Sequence, residues 1–190
     1  MGKTSNYTMD VNERVTQSQV GNLTATNFTY VAENLMQVQQ GTRTTVLTYS
    51  PTTGLLSSVK DPMALTTSYT YDTNERLASI LRPDGQSVLF NYNSVGQLAS
   101  VTPVSRPAHV FAFNTAELVS QYTPPVTPLV TVPQTKYTYD ANRIKTITRP
   151  DGKIITYNYN ASSGLLTSIV STEATINVAR DPNTNLNLIS

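Results

Sequence analysis

The 190-residue sequence predicts an all-β fold, tandem antiparallel β-hairpins laid side by side as one long, curled meander. Three observations predict it. A pair of aromatic or large apolar residues, two positions apart, returns at a step of about 21 residues, which marks an array of supersecondary units. A branched apolar residue follows each pair, usually with Val or Ile three positions later. Finally, charged residues make up only 13% of the chain while Thr, Ser, Asn and Tyr are plentiful. Such residues suit a pleated, half-buried surface, whereas long helices draw on Ala, Leu, Glu, Lys and Arg.

The second member of the pair falls at Met9, Tyr30, Tyr49, Tyr71, Tyr92, Phe113, Tyr139 and Tyr159, and by position alone at Arg180. Its partner is Tyr7, Phe28, Leu47, Tyr69, Phe90, Phe111, Tyr137, Tyr157 and Val178. Residues two apart share one face of a strand. The returning strands carry Leu35 and Val38, Leu56 and Val59, Leu77 and Ile80, Leu98 and Val101, Ile144 and Ile147, Leu166 and Ile169. The whole chain, 1–190, reads as a single array of eight to nine hairpins.

The pattern is cleanest from Thr66 to Val101. Thr67, Tyr69 and Tyr71 alternate with Ser68 and Thr70, as a strand with one aromatic face does. Asp72-Thr73-Asn74-Glu75 is a turn, because Asp and Asn bond their own backbone, and Arg76 to Leu81 returns. Pro83-Asp84-Gly85 makes the next reversal, Pro fixing φ at the corner and Gly accepting a positive φ. Gln86 to Tyr92 follows as a strand, Asn93-Ser94-Val95-Gly96 turns it, and Leu98 to Val101 comes back. Two regions interrupt the series. A Pro-rich loop near 123–134 cannot donate ladder hydrogen bonds, and a smaller interruption runs from Pro103 to Pro107. The stretch from Val31 to Val38 also carries helical spacing, but the repeat register through it predicts turn and strand.

Tyr69-Thr70-Tyr71-Asp72 with Arg76-Leu77 and Arg82-Pro83-Asp84-Gly85, and Tyr137-Thr138-Tyr139-Asp140 with Arg143-Ile144 and Arg149-Pro150-Asp151-Gly152, resemble the YD repeat of bacterial Rhs proteins, the B and C components of insecticidal Tc toxins, and animal teneurins. The resemblance runs from about Tyr7 to the end. It implies a hairpin ribbon that spirals into a hollow β-shell, enclosing a toxic C-terminal domain or, in teneurins, the shell's own filling. It also implies a secreted or cell-surface parent, bacterial in origin and longer than this chain. Met9, Phe113 and Arg180 depart from the second Tyr, and Ser50, Asn93 and Asn160 stand at or beside the Asp position. Some bacterial members end in an aspartyl self-cleavage segment; the isolated Asp181-Pro182 does not match one.

The residues that carry the motif are Tyr69, Tyr71, Asp72, Arg76, Leu77, Pro83, Gly85, Phe90, Tyr92, Gly96 and Leu98 in one stretch. In the other they are Tyr137, Tyr139, Asp140, Arg143, Pro150, Gly152, Tyr157, Tyr159 and Leu166. Recurrence at every unit favours rings stacked on their counterparts in neighbouring hairpins over a binding site, which needs a few convergent groups. A tyrosine row serving sugars, in an adhesin or carbohydrate-binding module, is the second reading. Asp72, Asp84, Asp140 and Asp151 each sit alone in a turn, without the several oxygen ligands calcium needs. His109, the one histidine, has no local metal spacing or triad pattern.

No cofactor or metal motif and no catalytic motif is present, so the reading is a non-catalytic scaffold. A net charge of +1 without a basic stripe argues against nucleic acid. There are no cysteines, hence no disulfides. No apolar run reaches the roughly eighteen residues of a membrane span, and no signal peptide core follows Met1-Gly2-Lys3. Asn6-Tyr7-Thr8, Asn22-Leu23-Thr24, Asn27-Phe28-Thr29 and Asn160-Ala161-Ser162 match the glycosylation sequon, as chance provides in a chain so rich in Asn and Thr. The expected partners are neighbouring repeats and an enclosed toxin domain, with self-association through unpaired sheet edges.

Overall fold

The computed structural model describes residues 4–125, 134–180 and 187–189. Among them every regular element is a β-strand. The chain divides into two compact units, Met1–Phe90 and Asn91–Ser190. The first holds β1 (Ser5–Met9), β2 (Val15–Val20), β3 (Thr26–Val31), β4 (Asn34–Gln40), β5 (Arg43–Tyr49), β6 (Leu56–Lys60), β7 (Thr66–Tyr71), β8 (Leu77–Leu81) and most of β9 (Ser87–Tyr92). The second holds the end of β9, then β10 (Leu98–Thr102), β11 (His109–Phe113), β12 (Val119–Thr123), β13 (Thr135–Asp140), β14 (Arg143–Thr148), β15 (Ile154–Tyr159), β16 (Leu166–Val170), β17 (Thr175–Arg180) and β18 (Asn187–Ile189). Most of the Pro-rich loop, and Asp181-Pro182, lie outside the described residues.

In each unit the strands pair antiparallel in chain order, as a hairpin meander requires. The first aromatic of a pair faces the Val or Ile of the return strand: Phe28 opposes Val38, Tyr69 opposes Ile80, Tyr137 opposes Ile147 and Tyr157 opposes Ile169. One position before the second aromatic, the register slips in four hairpins of the first unit and three of the second. This β-bulge puts Tyr71 opposite Leu77 and Tyr159 opposite Leu166, with one return-strand residue left over. In three bulges a hydroxyl of that extra residue bonds the facing carbonyl, Thr16 to Thr8 at 3.2 Å, Ser57 to Thr48 at 3.0 Å and Thr167 to Asn158 at 3.0 Å. A bulge recurring once per hairpin adds bend and right-handed twist each time.

The turns follow from side chains that cap their own backbone. The Oδ1 of Asp72 accepts the N–H of Asn74 at 2.9 Å and of Arg76 at 3.0 Å. Asp10, Asp61, Asn93 and Asn114 repeat the geometry on the residues two and four further on. Asn therefore replaces Asp without loss of the turn, since only the acceptor oxygen is used. Because the N–H of Arg76 is taken by this cap, the return strand begins at Leu77 rather than at Arg76. Gln86 likewise gives its N–H to Asp84 at 3.1 Å, so β9 starts at Ser87. The stretch from Val31 to Val38 is strand, tight turn and strand, with Ala32 at φ 48°.

The two faces of each unit differ. In β3 and β13 the burial alternates residue by residue, the aromatic positions half-buried and the intervening Asn, Thr and Lys exposed. The opposite face is a row of neutral polar pairs, such as Thr70 with Ser79 at 2.7 Å, Thr138 with Thr146 at 2.6 Å and Asn158 with Ser168 at 2.9 Å. No described side chain of either unit is fully buried. Each unit is thus a single β layer, held by its ladders and by the links made on its aromatic face.

Candidate functional site on the aromatic face

The bulge aims the second aromatic of a hairpin at the hairpin before it. Tyr30 donates its hydroxyl to the carbonyl of Val15 at 3.2 Å, Tyr49 to Leu35 at 3.1 Å and Tyr71 to Leu56 at 2.9 Å. In the second unit Tyr139 donates to Val119 at 2.7 Å and Tyr159 to Ile144 at 2.8 Å. The acceptor is in each case the residue opposite the preceding hairpin's own marker, next to its bulge, where the regular ladder is interrupted. Each such tyrosine thereby clamps the backbone of its predecessor. Among the described residues, the link that repeats is a hydroxyl-to-carbonyl bond, not the ring-on-ring stack the sequence suggested.

A second link runs the other way. The carboxylate of Asp10 holds Arg14 through Nε at 2.8 Å and Nη2 at 2.7 Å, and Asp72 holds Arg76 with the same distances. The guanidinium carbon of Arg14 then lies 4.6 Å from the ring centroid of Tyr30 in the following hairpin, and Nη1 donates to the Ala32 carbonyl in that hairpin's turn. Arg143 repeats this, 4.7 Å from the Tyr159 centroid and bonded to the Gly164 carbonyl at 2.9 Å. Gln97, held by Asn93 at 2.8 Å, reaches the Glu117 carbonyl at 2.9 Å without any charge. Asp, Arg and the next Tyr thus form one chain of contacts from hairpin to hairpin.

These ion pairs are weakly shielded from water, yet they shift titration. The Arg14 side chain bonded to Asp10 holds that carboxyl below its usual range, and Arg76 does the same for Asp72. Arg14 is correspondingly raised by Asp10. Glu173 is held at about 2 by the bond from Lys153, which joins two successive turns. Burial, with the neighbouring Tyr137, raises the Tyr139 phenol.

Among the sequence-singled residues, Tyr71, Asp72, Arg76, Tyr139, Asp140, Arg143 and Tyr159 meet in this network. Asp140 differs from Asp72. Its turn is one residue shorter, and Arg143 pairs with it at 3.2 Å through the guanidinium end alone. Gly85, Gly96 and Gly152 take φ of 79°, 91° and 81° at the turn corners, with Pro83 and Pro150 two residues before Gly85 and Gly152. Phe90 and Tyr92 lie on β9, and Leu98 opens β10. The sequence reading missed the tyrosyl clamps of Tyr30 and Tyr49, the cap at Asn114 and the arginine over the ring. Only the recurrence of Arg three or four residues after the turn Asp signalled the last.

The second unit also carries a pocket of about 460 Å³, lined by His109, Phe111, Val119, Tyr122, Tyr137, Tyr139 and Ile144. Tyr122 stands where most other hairpins place Val or Ile, and the β1–β2 hairpin Ser18, opposite the first member of the pair. Its ring stacks on Phe111 at 5.4 Å and lies parallel to the His109 ring at 6.0 Å, and its hydroxyl is 2.6 Å from His109 Nδ1.

In comparisons with known proteins, no curated protein matches the chain. Among solved structures it resembles a crystal structure of TcdB2-TccC3 with a TM-score of 0.61 and 17% identity, over 98% of this chain and 10% of that one. A TcdB2-TccC3-Cdc42 crystal structure gives 0.57 at 19% identity, with 98% and 10% coverage. A Tc holotoxin pore from Photorhabdus luminescens gives 0.55 at 17% identity, with 97% and 10% coverage. The chain thus spans about a tenth of the length of each, and at these identities the likeness shows the fold alone. The model of the teneurin YD-shell family matches residues 3–185, nearly the full length, and the chain belongs to that family.

Proposed function

We propose that this chain is a stretch of shell wall in a longer, secreted or cell-surface YD-repeat protein, and that the wall encloses a toxin or effector polypeptide. The observation that carries the reading is the recurrence of one contact: the second Tyr of a hairpin bonded to the backbone of the hairpin before it. A contact repeated in five hairpins builds an extended wall, whereas a catalytic centre needs groups that converge on one point. The family match supports a structural shell role. On this reading Tyr71, Tyr139 and Tyr159 are clamps, Asp72 and Asp140 shape turns and hold arginines, and Pro83, Gly85, Gly96, Pro150 and Gly152 set the reversals. The function is mechanical and non-catalytic, and the 190 residues are one part of a single repeat array.

The test uses the parent protein. Limited proteolysis of the intact protein is expected to leave the enclosed polypeptide uncut under native conditions and to digest it once denaturant opens the wall. A polypeptide cut at the same rate in the native protein overturns the proposal.

A further inference from the structure

We propose that the pocket formed by β11 to β14 is a binding site for a neutral aromatic side chain, indole or phenol, presented by an extended polypeptide. The claim that the source is a polypeptide rests on the shell-wall reading; the chemistry of the pocket does not. Its first support is a local departure from the repeat. Where five other hairpins oppose the first large residue of the pair with Val38, Val59, Ile80, Ile147 or Ile169, and the β1–β2 hairpin with Ser18, this one places an aromatic, Tyr122. Two residues before the first member of the pair, where the other units place Thr, Ser, Val or Ile, most often Thr, it places His109. Wall building is served by Ile at that position in the neighbouring hairpin, so the aromatic pair is not required by the fold.

The second support is the chemistry of the lining. His109, Phe111, Tyr122, Tyr137 and Tyr139 present ring faces and edges around the cavity, with Ile144 beside them, and no charged side chain lines it. An ionic ligand would therefore be desolvated without a partner. A neutral ring gains offset or edge-on contacts of the kind aromatic pairs prefer. Because His109 spends Nδ1 on the Tyr122 hydroxyl, Nε2 is the ring nitrogen left for the ligand, accepting an N–H or O–H when Nδ1 holds the proton and donating to a hydroxyl oxygen when Nδ1 is the acceptor.

The third support concerns the source. Pockets that hold free small molecules bury most of the ligand's surface. This pocket lies open on a single-layer face in which no described residue is fully buried. A side chain inserted from a polypeptide that itself covers the opening closes it, whereas a free ring stays half in water.

The chain contains no tryptophan, so indole emission excited selectively reports the ligand alone. A blocked, uncharged Gly-Thr-Trp-Thr-Gly peptide titrated with the 190-residue protein is expected to shift its emission to the blue. It should bind at least tenfold more tightly than free indole. Tyr122→Ile, which restores the residue carried at this position by β14, is expected to weaken binding at least tenfold with an unchanged circular dichroism spectrum. His109→Thr, equally a restoration of the repeat, should weaken it at least threefold. Peptide binding that survives Tyr122→Ile, no binding at all, or displacement of the peptide by cellobiose would overturn the proposal. Equal affinity for free indole would overturn the polypeptide source. Failure of protease protection in the parent overturns the shell-wall reading and with it the polypeptide source, whereas loss of peptide binding in this chain overturns the pocket alone.

Discussion

At the scale of single residues, the tyrosyl hydroxyl does work that the ring alone does not. Tyr71→Phe removes one half-buried hydrogen bond, to Leu56, and leaves that carbonyl next to a bulge without its side-chain donor. The expected loss is about 1 kcal/mol, read as a lower urea midpoint with an unchanged slope. Tyr7, 61% exposed, serves as the control, and Tyr7→Phe should change the midpoint by less than about 0.5 kcal/mol. The carboxylates make a separate prediction. The folded pKa of Asp10 and Asp72 lies below the unfolded value of about 3.9. Their contribution is therefore complete above that value and is lost as pH falls through the depressed folded pKa. Asp72→Asn keeps the turn, as Asn93 and Asn114 do, but removes the charge. Its urea midpoint should depend less on pH between 5 and 2 than that of the wild type, and an unchanged dependence would show that the pair with Arg76 does not couple to folding.

At the scale of the element, the hairpins were legible because their turn chemistry is local. Asp72, Asn93, Pro83 and Gly85 act on their own backbone within four residues, and the sequence displays them in order. The bulge was not legible, because its only trace is the five-residue offset between Tyr139 and Ile144 or the six between Tyr71 and Leu77, which also absorbs turn length. Nor were the tyrosyl clamps, which join residues some fifteen positions apart across a hairpin boundary and leave no periodic signature of their own. The sequence could show that the rings recur; it could not show whether faces or hydroxyls make the contact. Turn strain is testable at this scale. Glu75 sits at φ 60° in the position that Gly96 takes within the following hairpin. Glu75→Gly should raise stability by about 0.5 kcal/mol, the relief of left-handed strain less the added chain entropy. Gly164→Ala should do the reverse, since φ is 68° and the new Cβ would fall 2.9 Å from Arg143 Nη1. A thermal melt of each variant decides both signs.

At the scale of the whole molecule, each unit is one layer thick and no described side chain of either is buried. Such a surface is covered in a longer array by further repeats and by whatever lies against the aromatic face. In isolation it is left to other copies. Sedimentation velocity of the purified 190 residues should therefore show association that grows with concentration, and a single monomeric species at all concentrations would contradict this. Val11, Met63 and Val95, among the most exposed apolar side chains, all lie in turns rather than on the strands.

The central claim is that a hairpin whose second marker residue is tyrosine is fastened to its predecessor by the tyrosyl hydroxyl. Native-state hydrogen exchange of Tyr71→Phe tests it most directly. The account predicts amide protection falling about fivefold, the equivalent of about 1 kcal/mol, in the β6–β7 ladder around Ser58, Val59, Thr67 and Ser68. Protection in β3 to β5 should stay unchanged. Protection unaltered at β6 and β7, or lowered equally along the whole unit, would contradict it.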